Sequence, residues 1–233
     1  MVRLPQEFIS WNYKARRSLI KNLRSGGHFD PYRLQLEFTR HNPVLCTAAP
    51  REDGTMEVNG KVIGIGYVLK KEYLSEAVAR LEDHVRTTDE ELAANPEDKD
   101  RILARHADRG VDLLLDLLYL PDDVADERVD FQKLASLELA LRIPHSSKHT
   151  WSIVQRSGKA SLVFYQPPAT SFEVRCSVSI HENDIYHRFV SLVHDTFHYT
   201  PPEARARRPA YLFHVEEVYN NSASPAGFGR RLA

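Results

Sequence analysis

Cysteine is scarce in this chain: there are two in 233 residues, Cys46 and Cys176. Both stand in apolar, strand-like surroundings, where buried free thiols are expected rather than a disulfide or a ligand pair. Long apolar runs are also missing. No stretch approaches the roughly 18 apolar residues that suggest a membrane span. The opening segment, MVRLPQEFISWNYKARR, has no apolar core and no small-residue cleavage site, so it does not read as a secretion signal. Neither sign of charge dominates. With 31 basic and 32 acidic side chains the net charge is −1, which gives no overall attraction to nucleic acid or anionic membrane. The expectation is a cytoplasmic protein without a nucleic-acid or membrane partner. Gly-x-Ser-x-Gly elbows, Walker-type loops, the dinucleotide glycine spacing and internal repeats are absent as well.

Apolar material is plentiful: 42% of residues are hydrophobic and 9% aromatic, enough for a core and against global disorder. Residues 5–24 read as an amphipathic helix, with Phe8, Trp11, Ala15, Leu19 and Leu23 on one face and Gly26-Gly27 as its stop. Residues 34–69 read as strands with tight turns, Asp53-Gly54 being the strongest hairpin pair. Gly64 and Gly66, two apart, would leave one side of a strand open to a backbone or a flat ligand. Residues 72–85 and 99–120 have helical periodicity, separated by Asn95-Pro96 and followed by an acidic loop over 121–130. This block, about 71–130, is too short to bury a strong core alone and reads as an insertion. Strands are expected at 131–142, 159–166, 171–181 and 210–219, with a helix at 184–197. The Gly/Ser/Pro-rich tail, about 220–233, is expected to be mobile unless docked. The whole, 1–233, reads as one α+β domain.

Chemistry concentrates at 145–181. Ser146, Ser147 and Lys148 precede a short helix from Thr150 to Gln155. Hydroxyls, a cation and free helix N–H groups together can hold a phosphate dianion. The same residues also suit a polar loop that caps the helix. After the helix come a Ser157-Gly158 turn, an apolar strand, a Pro-rich hairpin, a second strand and a helix. This order resembles the pyridoxamine-phosphate-oxidase-like split-barrel family, over about half the chain. Val44-Leu45-Cys46-Thr47 with Asp53-Gly54 resembles that family's first hairpin.

The resemblance implies an antiparallel split β-barrel with peripheral helices, binding FMN at a homodimer interface. Ser146, Ser147 and Lys148 would contact the flavin phosphate, and Arg175 and Lys61 would sit near the ring's pyrimidine end. A flavin-dependent oxidoreductase acting on an unidentified small molecule follows from this. A deazaflavin, heme or no cofactor, the last in a non-catalytic binding or regulatory protein, are the related outcomes. The chain departs from the family pattern in the helical block at about 71–130, where a short connection is usual. Histidine offers a different class. His194 and His198, one helical turn apart, could ligate a metal in a metalloenzyme, although the Glu of His-Glu-x-x-His is replaced in His-Asp-Thr-Phe-His.

Overall fold

The computed structural model describes residues 1–27, 30–139, 148–205, 208–225 and 227–233. Its architecture is α+β: one open antiparallel sheet with helices on both sides. The chain starts with a continuous helix, α1 (Gln6–Ile9), a wider π-type turn (Ser10–Lys14) and α2 (Ala15–Arg24). Phe8 meets Phe164 and Phe172 edge-on at 5.1 and 5.4 Å. The buried Tyr13 hydroxyl donates to the Leu118 carbonyl (2.7 Å) and accepts from the Leu120 N–H (2.8 Å). This helix is thereby pinned to both the sheet and the helical block.

Residues 34–39, expected as strand, are helical: α3 spans Pro31–Thr39. Leu34, Leu36 and Phe38 mimic a period of two. However, Asp30 caps the Arg33 N–H at 3.2 Å and Pro31 occupies the first helical position, a start signal that outweighs three alternating residues. The acidic segment 121–130, expected as loop, contains α6 (Asp122–Arg128). Asp122 and Asp123 in its first turn suit the positive end of the helix dipole.

The sheet runs β2-β1-β4-β5-β6-β3, with β7 beside β6. The strands are β1 (Val44–Pro50), β2 (Met56–Val62), β3 (Lys133–Leu137), β4 (Lys159–Gln166), β5 (Thr170–His181), β6 (Ala210–Asn220) and β7 (Arg230–Arg231). The ladder is not closed, but the chain after β2 crosses to β3 at the opposite edge. There Gly66 and Ala135 exchange two backbone bonds of 2.8 and 2.9 Å. A Cβ on Gly64 or Gly66 would meet nothing within 4 Å, so neither glycine is required by a close neighbour. In the tail, Leu232 donates its N–H to Val218 at 2.7 Å and its side chain packs against the core.

Alternation sorts the sheet's two faces. Leu45, Leu162, Phe164, Phe172, Val174, Phe213 and Val218 share one face, the inner one, and all are buried. α7 (His149–Ser157) lies on β1 at this side, ending at Gly158 in the left-handed region (φ 60°). α8 (Ile185–Phe197) packs against β3 and β6.

The helical block joins β2 to β3. It consists of α4 (Lys71–Ala94), a short turn at Pro96–Asp98, α5 (Lys99–Leu117) and α6. α4 and α5 pack against α8. Gly110 allows the approach, since a Cβ there would lie 1.8 Å from the Thr196 carbonyl oxygen. Gly→Ala within a helix ordinarily gains about 1 kcal/mol. At this contact the sign reverses: Gly110→Ala is expected to lose roughly 1–3 kcal/mol through overpacking, read as a lower urea midpoint. An unchanged or higher midpoint would show that α5 and α8 separate without cost.

Candidate functional site

Register puts Glu57, Asn59 and Lys61 of β2 opposite Ala49, Thr47 and Leu45, hence on the inner face. α7 is docked there by its side chains. Asn59 donates to the Thr150 hydroxyl at 2.9 Å, and His149 Nδ1 lies 3.1 Å from Glu57. Arg156 pairs with Glu57 and donates to the Pro50 carbonyl at 3.0 Å. The bonds from Arg156 and His149 hold the Glu57 carboxyl below its ordinary range.

The N-cap residue of α7 is Lys148, and among the described residues no side chain caps the start of this helix. Lys148 is 8% exposed, and its Nζ makes no hydrogen bond among the described residues. It stands 3.7 Å from Glu138 Oε1. Lys61 reaches the other oxygen of the same carboxylate at 2.9 Å, and the Tyr211 hydroxyl lies 3.5 Å from it. Burial and the Glu138 charge push the Tyr211 phenol well above its usual value, so it remains a donor. Two ammonium groups and one phenol therefore converge around one buried carboxylate, and one of the ammonium groups belongs to the N-cap residue of α7. Among the described residues the cluster sets one negative charge against two positive. Lys148, lacking a hydrogen bond, is the group with unused capacity for an anion.

Of the residues the sequence nominates for a cofactor, the fold brings Lys148 and Lys61 together. Ser146 and Ser147 lie outside the described residues. Arg175 is on the opposite face of the sheet. It pairs with Glu173 at 2.8 Å and Glu217 at 3.3 Å, and stacks over Tyr219. Glu138 and Tyr211 escaped the sequence reading. A single carboxylate in the apolar run Leu134–Leu139 was the available signal for Glu138. No motif marked Tyr211.

His194 and His198 have rings 5.3 Å apart. His194 Nδ1 lies 3.0 Å from Asp195, whose carboxylate is taken by Arg208 at 2.6 and 2.9 Å with both side chains buried. Among the described residues, no group of three or more His, Cys, Asp and Glu side chains could hold a metal. Cys46 and Cys176 are free thiols, and burial pushes both up. Among the described residues, no helix is long and apolar enough to cross a membrane.

No family model and no curated protein matches this chain. Solved structures with similar chain paths include HupZ of group A Streptococcus, at 9% identity and TM-score 0.40, covering 88% of this chain and 100% of that one. An F420 reductase is similar at 12% identity and TM-score 0.34, covering 82% and 98%. A candidate pyridoxamine 5′-phosphate oxidase of Listeria innocua is similar at 8% identity and TM-score 0.38, covering 82% and 98%. The last is of the kind that the sequence motifs resemble. Overlaps this loose carry no argument about chemistry, which rests on the residues above.

Several histidines are held below their usual value. Burial lowers His41, with Arg16 and Arg40 adding to it. Burial, then His106, takes His84 down to about 4. Burial also lowers His106, His198 and His214. The unfolded chain binds protons on these rings near pH 6.5, while the folded chain resists them. Their contribution is fully present above about pH 6.5 and is lost as pH falls below it. A urea midpoint that drops between pH 7.5 and 5.5 is the expected outcome, and a flat profile would contradict neutral burial.

Proposed function

We propose that this chain is an FMN-binding protein of the split-barrel type, an oxidoreductase whose cofactor phosphate is held at the start of α7. One observation carries the reading: the buried Lys148 ammonium at the N-terminus of α7, which among the described residues has neither a hydrogen bond nor a side-chain cap on its helix, and which shares Glu138 with Lys61. Helix N–H groups and an ammonium are the donors that a phosphate dianion requires. Bound there, the flavin would supply hydride or electron transfer. The chain's own work is positioning. Lys148 and the first N–H groups of α7 anchor the anion, and Tyr211 and Lys61 orient Glu138 beside it. Glu138 also sets a limit. Its charge offsets part of the lysines' attraction, so anchoring draws on Lys148 more than on Lys61.

The working unit of this proposal is a cytoplasmic homodimer of a one-domain chain acting on a small molecule. Support for a dimer comes from the outer face at the β2–β1–β4 end. Val58, Val62 and Tyr165 are 73%, 67% and 54% exposed there. Their alternation partners point inward, so these side chains form an exposed apolar strip on the outer face, and in this reading a second copy covers it. Neither nucleic acid nor membrane has a place in this reading.

A second reading keeps the fold without a cofactor, and the closure of Glu138 on both lysines favours it. The absorption spectrum separates the two. Protein incubated with excess FMN and desalted is expected to keep the flavin's visible bands, with Lys148→Ala weakening affinity roughly 10- to 100-fold, as for one charge-assisted bond. A colourless protein after reconstitution would overturn the flavin reading. Val58→Glu with Val62→Glu is expected to convert a dimer to a monomer in size-exclusion chromatography, and a wild-type protein that elutes as a monomer would remove the dimer.

A further inference from the structure

We propose that Ser179 is the nucleophile of a second site, one that hydrolyses small esters, on the face of the sheet opposite Lys61 and Lys148. Ser179 and His181 are two apart on β5 and so share a face. His214 on β6 is the register partner of Ser177, and of Lys133 on its other side. Asp184 caps α8, three residues after His181. Together they form one hydrogen-bonded chain. Asp184 lies 2.5 Å from His181 Nδ1, His181 Nε2 lies 2.7 Å from the Ser179 hydroxyl, and that hydroxyl lies 2.8 Å from His214 Nε2.

The donors and acceptors in this chain can be assigned in sequence. Burial pushes the Asp184 carboxyl up, but bonds from His181 and the His187 N–H hold it below its usual value, so it is ionised and can only accept. His181 therefore carries its proton on Nδ1 and presents a bare Nε2. Ser179 has one proton, and it goes to that Nε2. The remaining neighbour, His214, must then donate from Nε2 and leave Nδ1 bare. His214 Nδ1 is indeed buried and, among the described residues, has no hydrogen-bond partner. Burial and then Lys133 keep this ring neutral. The result is a hydroxyl with its proton directed at an oriented base and a second N–H directed at its oxygen. The bond from the hydroxyl to a base oriented by a carboxylate is the arrangement that activates a serine, reached without a Gly-x-Ser-x-Gly elbow, while the His214 N–H fixes the position of the oxygen.

A candidate place for substrate lies one residue beyond the hydrogen-bonded chain. It is a cavity of about 400 Å³ lined by Lys133, the register partner of His214, and by Tyr186, whose ring is 5.5 Å from His181. Arg3, Lys70 and Lys71 line it too, against Glu72, Asp126 and Asp130. The lining is mixed in charge with a surplus of cations, which suits a small ester bearing one carboxylate.

In the first step the Ser179 Oγ forms a bond to the acyl carbon and its proton passes to His181 Nε2. The ester C–O bond then breaks, and the departing alkoxide takes that proton and leaves as the alcohol. In the second step water gives a proton to His181 and its oxygen attacks the acyl-serine. The proton returns to Ser179 as the carboxylic acid is released. No oxidant, reductant or metal is needed, and the site is independent of any flavin.

Intact-mass analysis after treatment with an alkyl fluorophosphonate tests this on the full chain. One adduct per chain is expected, on the peptide carrying Ser179. Saturable hydrolysis of p-nitrophenyl hemisuccinate, faster than that of p-nitrophenyl acetate, is expected alongside. Ser179→Ala should abolish both, and Asp184→Asn should reduce kcat on the order of 10³- to 10⁴-fold. Should Ser179→Ala fail to fold, Ser179→Cys keeps the size and is expected to lose the fluorophosphonate adduct while gaining alkylation by iodoacetamide. Absence of any adduct in the wild type, or adduct and hydrolysis that survive at Ser179→Ala or Ser179→Cys, would overturn the proposal.

Discussion

The register of β5 against β6 is the constraint on which both sites depend. Alternate residues of these strands serve opposite faces, so one pairing sends Tyr211 toward Glu138 and His214 toward Ser179. A slip of one residue would exchange the two sets, turning His214 into the core and Phe213 out of it. The pairing shifts once, between Arg175 and Cys176. Beyond that shift Val215, Phe213 and Tyr211 still meet Cys176, Val178 and Ile180 on the core side. Apolar burial along the inner face is the force that holds the register, because a one-residue slip places polar groups in the core.

The helical block is secured from the other side by polar contacts. His106 bridges the Thr88 hydroxyl and the Asp195 carbonyl, both at 2.7 Å, while Arg208 clamps the Asp195 carboxylate. Such buried groups are costly unless every partner is present. They fix how α4, α5 and α8 meet, and Gly110 lets them meet closely. The histidines that looked like metal ligands are part of this packing: His194 lies against Asp195, and burial lowers the proton affinity of His198.

Much of the fold was legible because its strands carry clean alternation. The 159–166 and 170–181 strands, the long helices and the Asp-Gly hairpin follow from local rules. Two segments did not. Pro31–Thr39 alternates like a strand, but its cap decides the structure, and Asp122–Arg128 is helical through its charge placement in a stretch with few apolar residues. The site was half legible. Lys148 stood out through its neighbours Ser146 and Ser147, and Lys61 through its strand. Arg175, on β5, faces away from Lys61 on β2, a distinction that needs the register across four strands. Glu138 and the Ser179–His181–Asp184 chain depend on residues brought together from separate strands or through a turn, and local periodicity has no access to such contacts.

The account's central claim is that the start of α7 anchors a phosphate. Riboflavin has the same ring system as FMN and no phosphate, so the pair isolates that claim. Calorimetric titration of the purified chain with each ligand is therefore the most direct measurement. The account predicts that FMN binds and that riboflavin binds at least about 10-fold more weakly, a difference of about 1.4 kcal/mol or more. Equal affinities would contradict phosphate anchoring at Lys148, and the ring would then have to be held by some other part of the chain.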